Sequence, residues 1–238
     1  MQKHRRFVAH IDILGMRAMM KRDPETAWKV LSGLATVREH ISQLQVGYIK
    51  SARREMLASR VMTLMFSDTI LLFTKTETAD DLQAILIALG EFFHKAMVNL
   101  VPVRAGLASG QFFFNIEESM YAGPALIEAY EIGEAAQWLG IVTTKDIYIQ
   151  AKQADFKTGS EDIVIAADIP QKDGWIPGYT MNWVATVRHD FKVPPSISVD
   201  LFYSQFEHAF GSFSALPASQ QKKYLNTIQF VNQRLTQT

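Results

Sequence analysis

From Phe7 to Ile13 two sets of residues alternate, with Phe7, Ala9, Ile11 and Ile13 on one side and Val8, His10 and Asp12 on the other. A period of two is that of a strand. Leu14-Gly15-Met16 follows, where glycine permits a tight exit. Asp23-Pro24-Glu25 predicts a helix start, with Asp23 as cap and proline in the first turn. Trp28, Leu31, Leu34, Ala35 and Ile41 then keep one helical stripe.

Two apolar runs, 61–66 and 70–74, flank Ser67-Asp68-Thr69 and predict a hairpin. Thr78-Ala79-Asp80-Asp81 caps a second amphipathic helix bearing Leu82, Ile85, Leu86, Leu89, Phe92 and Phe93. Segments 102–108 and 111–116 read as a strand pair turning at Gly110. Gly123-Pro124 opens a third helix to about residue 139, with short strands at 141–144 and 163–167. Residues 168–195, rich in Pro, Gly and Trp, read as irregular loop with an edge strand over 181–187, and helices over 200–213 and 217–235 close the chain. The order predicts an α+β domain, an antiparallel-containing sheet backed by helices on one face and followed by C-terminal helices. Tight hairpins at 61–74 and 101–116 disfavour a doubly wound parallel sheet. Residues 1–150 form the core; 151–238 add sheet-completing strands, a loop and the helical extension of the same domain.

Charge and composition narrow the functions. Of 238 residues, 24 are Lys or Arg and 24 are Asp or Glu, so no summed positive field favours a nucleic-acid backbone, and no nucleic-acid partner is expected. With no cysteine, disulfides, thiol nucleophiles and cysteine-ligated zinc are excluded. The basic start breaks its apolar run at His10 and Asp12, too short for a signal peptide, and no stretch approaches the roughly 20 apolar residues of a membrane span. The expectation is a cytoplasmic protein without a membrane partner.

Two acids stand out. Asp12 lies on the polar side of an apolar strand, and Asp68 lies in a turn between two apolar runs. Meeting at one sheet end, they would make an oxygen-rich site for Mg²⁺ or Mn²⁺. Spacing alone reads equally well as a strand-end residue and an ordinary turn aspartate.

Four segments in order carry a resemblance. Phe7-Val8-Ala9-His10-Ile11-Asp12-Ile13-Leu14-Gly15-Met16 resembles the first-strand signature of class III adenylate and guanylate cyclases. Phe66-Ser67-Asp68-Thr69 resembles their metal-binding hairpin, with Ser67 where glycine is usual. Val103-Arg104-Ala105-Gly106-Leu107-Ala108-Ser109-Gly110 resembles the strand after the second helix. Tyr121-Ala122-Gly123-Pro124-Ala125-Leu126-Ile127-Glu128-Ala129-Tyr130 resembles the turn into the third helix.

The resemblance implies a ferredoxin-like cyclase domain working as a homodimer, with sites between subunits. Asp12 and Asp68 would be the catalytic acids and, with the Ile13 carbonyl, would hold two Mn²⁺ or Mg²⁺ ions. Backbone amides of Leu14, Gly15, Met16 and Arg17 would cradle the triphosphate. Phe7, Tyr48 and Arg104 are further substrate-binding candidates; Tyr48 and Arg104 read equally as a packed aromatic and a solvated strand-end charge. His10, on the Asp12 side, is a candidate neighbour of the acids. Lys50, Arg53, Arg54 and Arg60 form a basic patch that could meet phosphates or be a solvated face.

The chain departs from the purine cyclases at the base-reading positions, here Leu64 and Met120, and at the third-helix Asn and Arg positions, here Ile127 and Glu131. Asp12-Ile13-Leu14-Gly15, Phe66-Ser67-Asp68-Thr69 and Gly123-Pro124-Ala125-Leu126 with Ala129-Tyr130 resemble the bacterial pyrimidine cyclases of the Pycsar antiphage systems. That branch implies UTP as substrate and cyclic UMP as product, handed to a separate effector. CTP, or an inactive nucleotide-sensing module, are the alternatives.

Overall fold

A computed structural model describes residues 4–43, 60–190 and 194–236. In chain order the elements are β1 (Arg5–Ile13), α1 (Met16–Arg22), α2 (Pro24–Gln43), β2 (Val61–Phe66), β3 (Thr69–Thr74), α3 (Ala79–Val98), β4 (Val103–Gln111), β5 (Phe113–Asn115), β6 (Met120–Ala122), α4 (Pro124–Ala135), β7 (Ile141–Thr143), α5 (Lys145–Gln153), β8 (Lys157–Thr158), β9 (Glu161–Asp162), β10 (Val164–Gln171), β11 (Gly174–Met181), α6 (Trp183–Asp190), α7 (Val199–Tyr203), α8 (Glu207–Phe210) and α9 (Ala218–Thr236).

Among the described residues, seven strands form one sheet in the order β10-β11-β7-β4-β1-β3-β2, antiparallel throughout except for β4 beside β7. This is the expected α+β architecture, but helices cover both faces of the sheet and not one: α2 and α3 pack on one side and α4 on the other. β1 lies between β3 and β4, so its two sets of alternating residues are covered on opposite faces. Phe7, Ala9 and Ile11 join Leu82, Ile85 and Leu89 of α3 and Leu34 of α2 in the main core. Val8 joins a smaller core with Leu71, Phe73, Phe112 and Ala125 on the other face. There α4 crosses the sheet, and Gly106 of β4 makes the crossing possible. A Cβ at Gly106 would lie 2.0 Å from the Ala129 carbonyl oxygen and 2.9 Å from the Gly133 nitrogen. Only glycine lets helix and strand approach so closely.

Local signals explain most starts and stops. Thr78 and Asp81 close a reciprocal capping box at the head of α3. Gly15, at φ 79°, takes the left-handed turn that leads into α1. The β2–β3 hairpin has only Ser67 and Asp68 between paired residues, because Phe66 faces Thr69. Ser67 sits at φ 56°, a conformation that costs a side-chain-bearing residue about 1 kcal/mol or more.

Three local expectations give way. Segment 111–116 does not pair back on β4; β4 runs unbroken to Gln111, and β5 pairs with β6 as an arm off the main sheet. Residues 164–181, expected to be mostly loop, form the β10–β11 hairpin. Its two prolines fit because β11 bonds to β7 at only Tyr179 and Thr180, so Pro177 has no ladder partner to lose on that side. Residues 183–190 form helix α6 instead of an edge strand, with Trp183 packed 5.2 Å from Phe93, centroid to centroid. Helices α1 and α5 were not foreseen.

Candidate active site

The register of β1 assembles the site. Asp12 stands opposite Thr69 on β3 and opposite Arg104 on β4, so Asp12 and Arg104 project from the same face. Just beyond, the Ile13 amide donates to the Asp68 carbonyl at 3.2 Å, which docks the hairpin tip against the end of β1. The two acids therefore share one sheet end.

Arg104 is the hub. Its side chain is buried, and a buried guanidinium requires partners. Nε donates to Asp12 Oδ2 at 3.0 Å, and Nη2 approaches the same oxygen at 2.9 Å. Nη1 donates to the Glu134 carbonyl at 3.0 Å, and Nη2 also meets the Glu134 carboxylate. Oδ1 of Asp12 accepts no hydrogen bond among the described residues. Burial pushes the Asp12 carboxyl above its usual range; the charge and hydrogen bond of Arg104 pull the other way, and Glu134 and Asp68 add to the rise. Burial also lowers the His10 imidazole, whose ring stands edge-on to Tyr130 of α4 at 5.1 Å.

The other expected residues divide. Gly15, Met16 and Arg17 open α1 next to the acids, where a helix start leaves amides without intrahelical acceptors. The Leu14 amide is already taken by the Pro102 carbonyl at 2.8 Å, so it is not free for a phosphate. Phe7 is fully buried on the face opposite Asp12, which makes it a core residue and not a substrate contact. Arg104 is neither a solvated strand end nor free for a base, since it binds Asp12 and Glu134. Tyr48, Lys50, Arg53 and Arg54 lie outside the described residues, and Arg60 is paired with Asp80 and Asp81. The third-helix positions Ile127 and Glu131 are exposed.

Sequence reasoning missed Glu134 and the cover over the turn. Phe210 and Gln220, from the C-terminal segment, lie 3.4 and 3.9 Å from where a Cβ at Gly15 would be. Neither carries a local signal, because both reach the site through packing.

The donor set suits a hard divalent ion. Among the described residues no group of three or more His, Cys, Asp or Glu could hold a metal ion. Two carboxylates and a carbonyl, with phosphate oxygens supplying the rest, is the pattern by which Mg²⁺ is usually held beside a nucleotide. The free Oδ1 of Asp12 and the all-oxygen chemistry fit that pattern.

The catalytic core of a rhodopsin-guanylyl cyclase with converted specificity, solved with ATPαS, matches 75% of this chain and 95% of its own length, at a TM-score of 0.51 and 11% identity. The fold is that of a class III cyclase core. Weaker cyclase-fold matches are an adenylate/guanylate cyclase/hydrolase from Silicibacter pomeroyi (TM-score 0.47, 12% identity, 74% of this chain, 95% of that one) and a class III adenylyl cyclase-like ATP-binding protein from Pseudomonas aeruginosa (TM-score 0.44, 12% identity, 62% and 34%). No family model and no curated protein matches the sequence. Among the described residues of this cyclase fold, no helix is long and apolar enough to cross a membrane.

Proposed function

We propose that the chain is a nucleotidyl cyclase that converts UTP to 3′,5′-cyclic UMP and pyrophosphate, with CTP as the alternative substrate. The observation that carries this reading is the meeting of Asp12 and Asp68 at the end of β1, on a chain with the class III cyclase fold. The fold neighbour solved with ATPαS supports a nucleoside triphosphate as the substrate class.

Asp12, Asp68 and the Ile13 carbonyl would hold two Mn²⁺ or Mg²⁺ ions, which would acidify the 3′-hydroxyl and neutralise phosphate charge. The chain's own residues do the rest. Arg104 offsets part of the cost of burying the Asp12 carboxylate and aims it by binding one oxygen. The turn at Gly15 offers its amides to the triphosphate. The 3′-oxygen attacks the α-phosphorus in line as pyrophosphate leaves, and no protein nucleophile takes part.

A homodimer fits the exposed apolar residues Phe113, Ile116 and Met120 on and beside the β5–β6 arm and Ile127 and Tyr130 on α4. Isolated proteins seldom leave such residues clustered without a partner. Leu64 and Met120 offer no polar group to a purine edge, which favours a pyrimidine. As a cyclic pyrimidine nucleotide the product would serve as an antiphage messenger acting on a separate effector.

A second reading, a nucleotide-sensing module without turnover, draws on Ile127 and Glu131, which supply no transition-state cation from α4. One assay separates the two. Incubation with each of the four ribonucleoside triphosphates and Mn²⁺, followed by mass spectrometry, should yield cyclic UMP, and Asp12→Ala and Asp68→Ala should abolish it while remaining folded. Cyclic AMP as the main product would refute the pyrimidine assignment, and full activity in either variant would refute the site.

A further inference from the structure

The C-terminal helix reaches the same site. Two buried hydrogen bonds fix α9 against the segment just after α4: Asn226 Nδ2 donates to the Gln137 carbonyl at 2.7 Å, and the Leu139 amide donates to Thr227 Oγ1 at 2.8 Å. Lys223 stands three and four residues before those anchors, on the same face of the helix. That placement sets it beside Glu134 and the Arg104 hub. Gln220, a turn less along α9, approaches the Gly15 turn. The face of α9 therefore runs from the phosphate turn to the acid pair.

Lys223 is half-buried, yet it closes no ion pair or side-chain hydrogen bond among the described residues. The carboxylates within its electrostatic reach, Glu134 and Asp12, are both engaged by Arg104. Its other charged neighbours are cations, Arg104 and Lys172 of the β10–β11 turn. Burial lowers its pKa, with Arg104 adding to the effect. A partly desolvated ammonium that closes no ion pair, beside two further cations and with each nearby carboxylate sharing an oxygen with Arg104, is a place for an anion.

We propose that Lys223 binds the phosphate chain of the substrate and stabilises the departing pyrophosphate, supplying from the chain's own C-terminal helix the cation that α4 lacks. The identity of the anion rests on the cyclase reading. As the O3′–Pα bond forms and the bond from Pα to the bridging oxygen breaks, negative charge gathers on that oxygen and the β-phosphate. The ammonium meets it there, and the 3′-hydroxyl proton passes to solvent. Lys223 thus contributes more to the transition state than to substrate binding.

The test compares wild type, Lys223→Met, Lys223→Arg and a control, Lys29→Met, on the exposed side of α2. Calorimetry with inorganic tripolyphosphate and Mn²⁺ reports the anion site without requiring turnover. Steady-state kinetics separates kcat from KM, and thermal unfolding checks each fold. The expectation is a loss of about tenfold or more in tripolyphosphate affinity and about 10²-fold in kcat for Lys223→Met, the size seen when one charge-stabilising donor is removed. Lys223→Arg should retain most of both, and Lys29→Met should match wild type. If Lys223→Met binds tripolyphosphate as well as wild type does, or if wild type does not bind it, the proposal is overturned. If wild type makes no cyclic product but its tripolyphosphate affinity still depends on Lys223, the cyclase reading fails and the anion site stands. If wild type cyclises and Lys223→Met is equally active, the cyclase reading stands and Lys223 has no part in it.

Discussion

Replacing Gly106 with alanine tests the link between the close packing of α4 and the site below it. The new Cβ would lie 2.0 Å from the Ala129 carbonyl oxygen, 2.8 Å from Ile132 Cγ1 and 2.9 Å from the Gly133 nitrogen. Two of these three atoms are backbone, so no side-chain rotation relieves the overlap. Helix α4 must withdraw from β4 by more than about 1 Å to restore ordinary contact. Overpacking of this kind costs about 3 kcal/mol, the upper end of the usual range, because the neighbour is rigid. For a domain of this size that corresponds to a fall of roughly 6–12 °C in Tm. The withdrawal also carries Glu134 away from Arg104 and Tyr130 away from His10. Misplacing catalytic groups by about 1 Å costs on the order of 10²-fold in rate, so turnover should fall further than stability alone explains at a temperature where the variant is folded. Gly33 is the matched control, since nothing lies within 4 Å of its added Cβ, and alanine there should stabilise α2 by about 0.5–1 kcal/mol. Thermal unfolding and cyclic-nucleotide formation, measured on both variants, decide the matter. A Gly106→Ala protein with wild-type Tm and wild-type turnover would refute the claimed approach of helix and strand.

Two further predictions concern stability and assembly. At the head of α3, burial opposes ionisation of Asp81, but hydrogen bonds from the Thr76 and Thr78 hydroxyls, the Thr78 amide and Arg60 outweigh it and hold the carboxyl below its usual pKa. A depressed folded pKa contributes stability that is present above the unfolded value of about 3.9 and is lost as pH falls through the folded one. Resistance to urea should therefore fall in acid below about pH 4, and Thr78→Ala should cost about 1 kcal/mol at neutral pH and reduce that acid sensitivity; identical acid profiles for the two proteins would contradict this account. For assembly, an Asp68→Ala subunit mixed with an Ile127→Asp/Glu128→Arg subunit, each inactive alone, should recover at most about half the activity of a wild-type dimer per heterodimer, because one of two symmetric sites regains both intact halves. Demonstrated subunit exchange without any recovery would place the whole active site within one chain.

Much of the fold was legible in the sequence because its signals are local. The two-residue period of Phe7 to Ile13 marks the central strand and puts Asp12 on a different face from the main core. Two apolar runs around Ser67-Asp68 mark the hairpin, and Thr78 with Asp81, or Gly123-Pro124, marks a helix start. Where the reading failed, distant contacts overruled local preference. β-Branched residues over 184–187 suggest a strand, yet Trp183 and Val184 are buried in a helix against α3. Proline and glycine over 170–178 suggest a loop, yet a sparsely bonded β11 accommodates them. At the site, the acids could be named from the chain, but their meeting depends on the register of β1 with β3 and on the Ile13–Asp68 hydrogen bond. The clasp of Arg104 on Asp12 spans 92 residues of chain, and that of Arg104 on Glu134 spans 30. Lys223 reaches the same place only because α9 is pinned to residues 137–139. Side-chain periodicity is set by neighbours along the backbone and so is written in order along the sequence. Which charges neutralise one another is set by packing, and only the tertiary structure decides that.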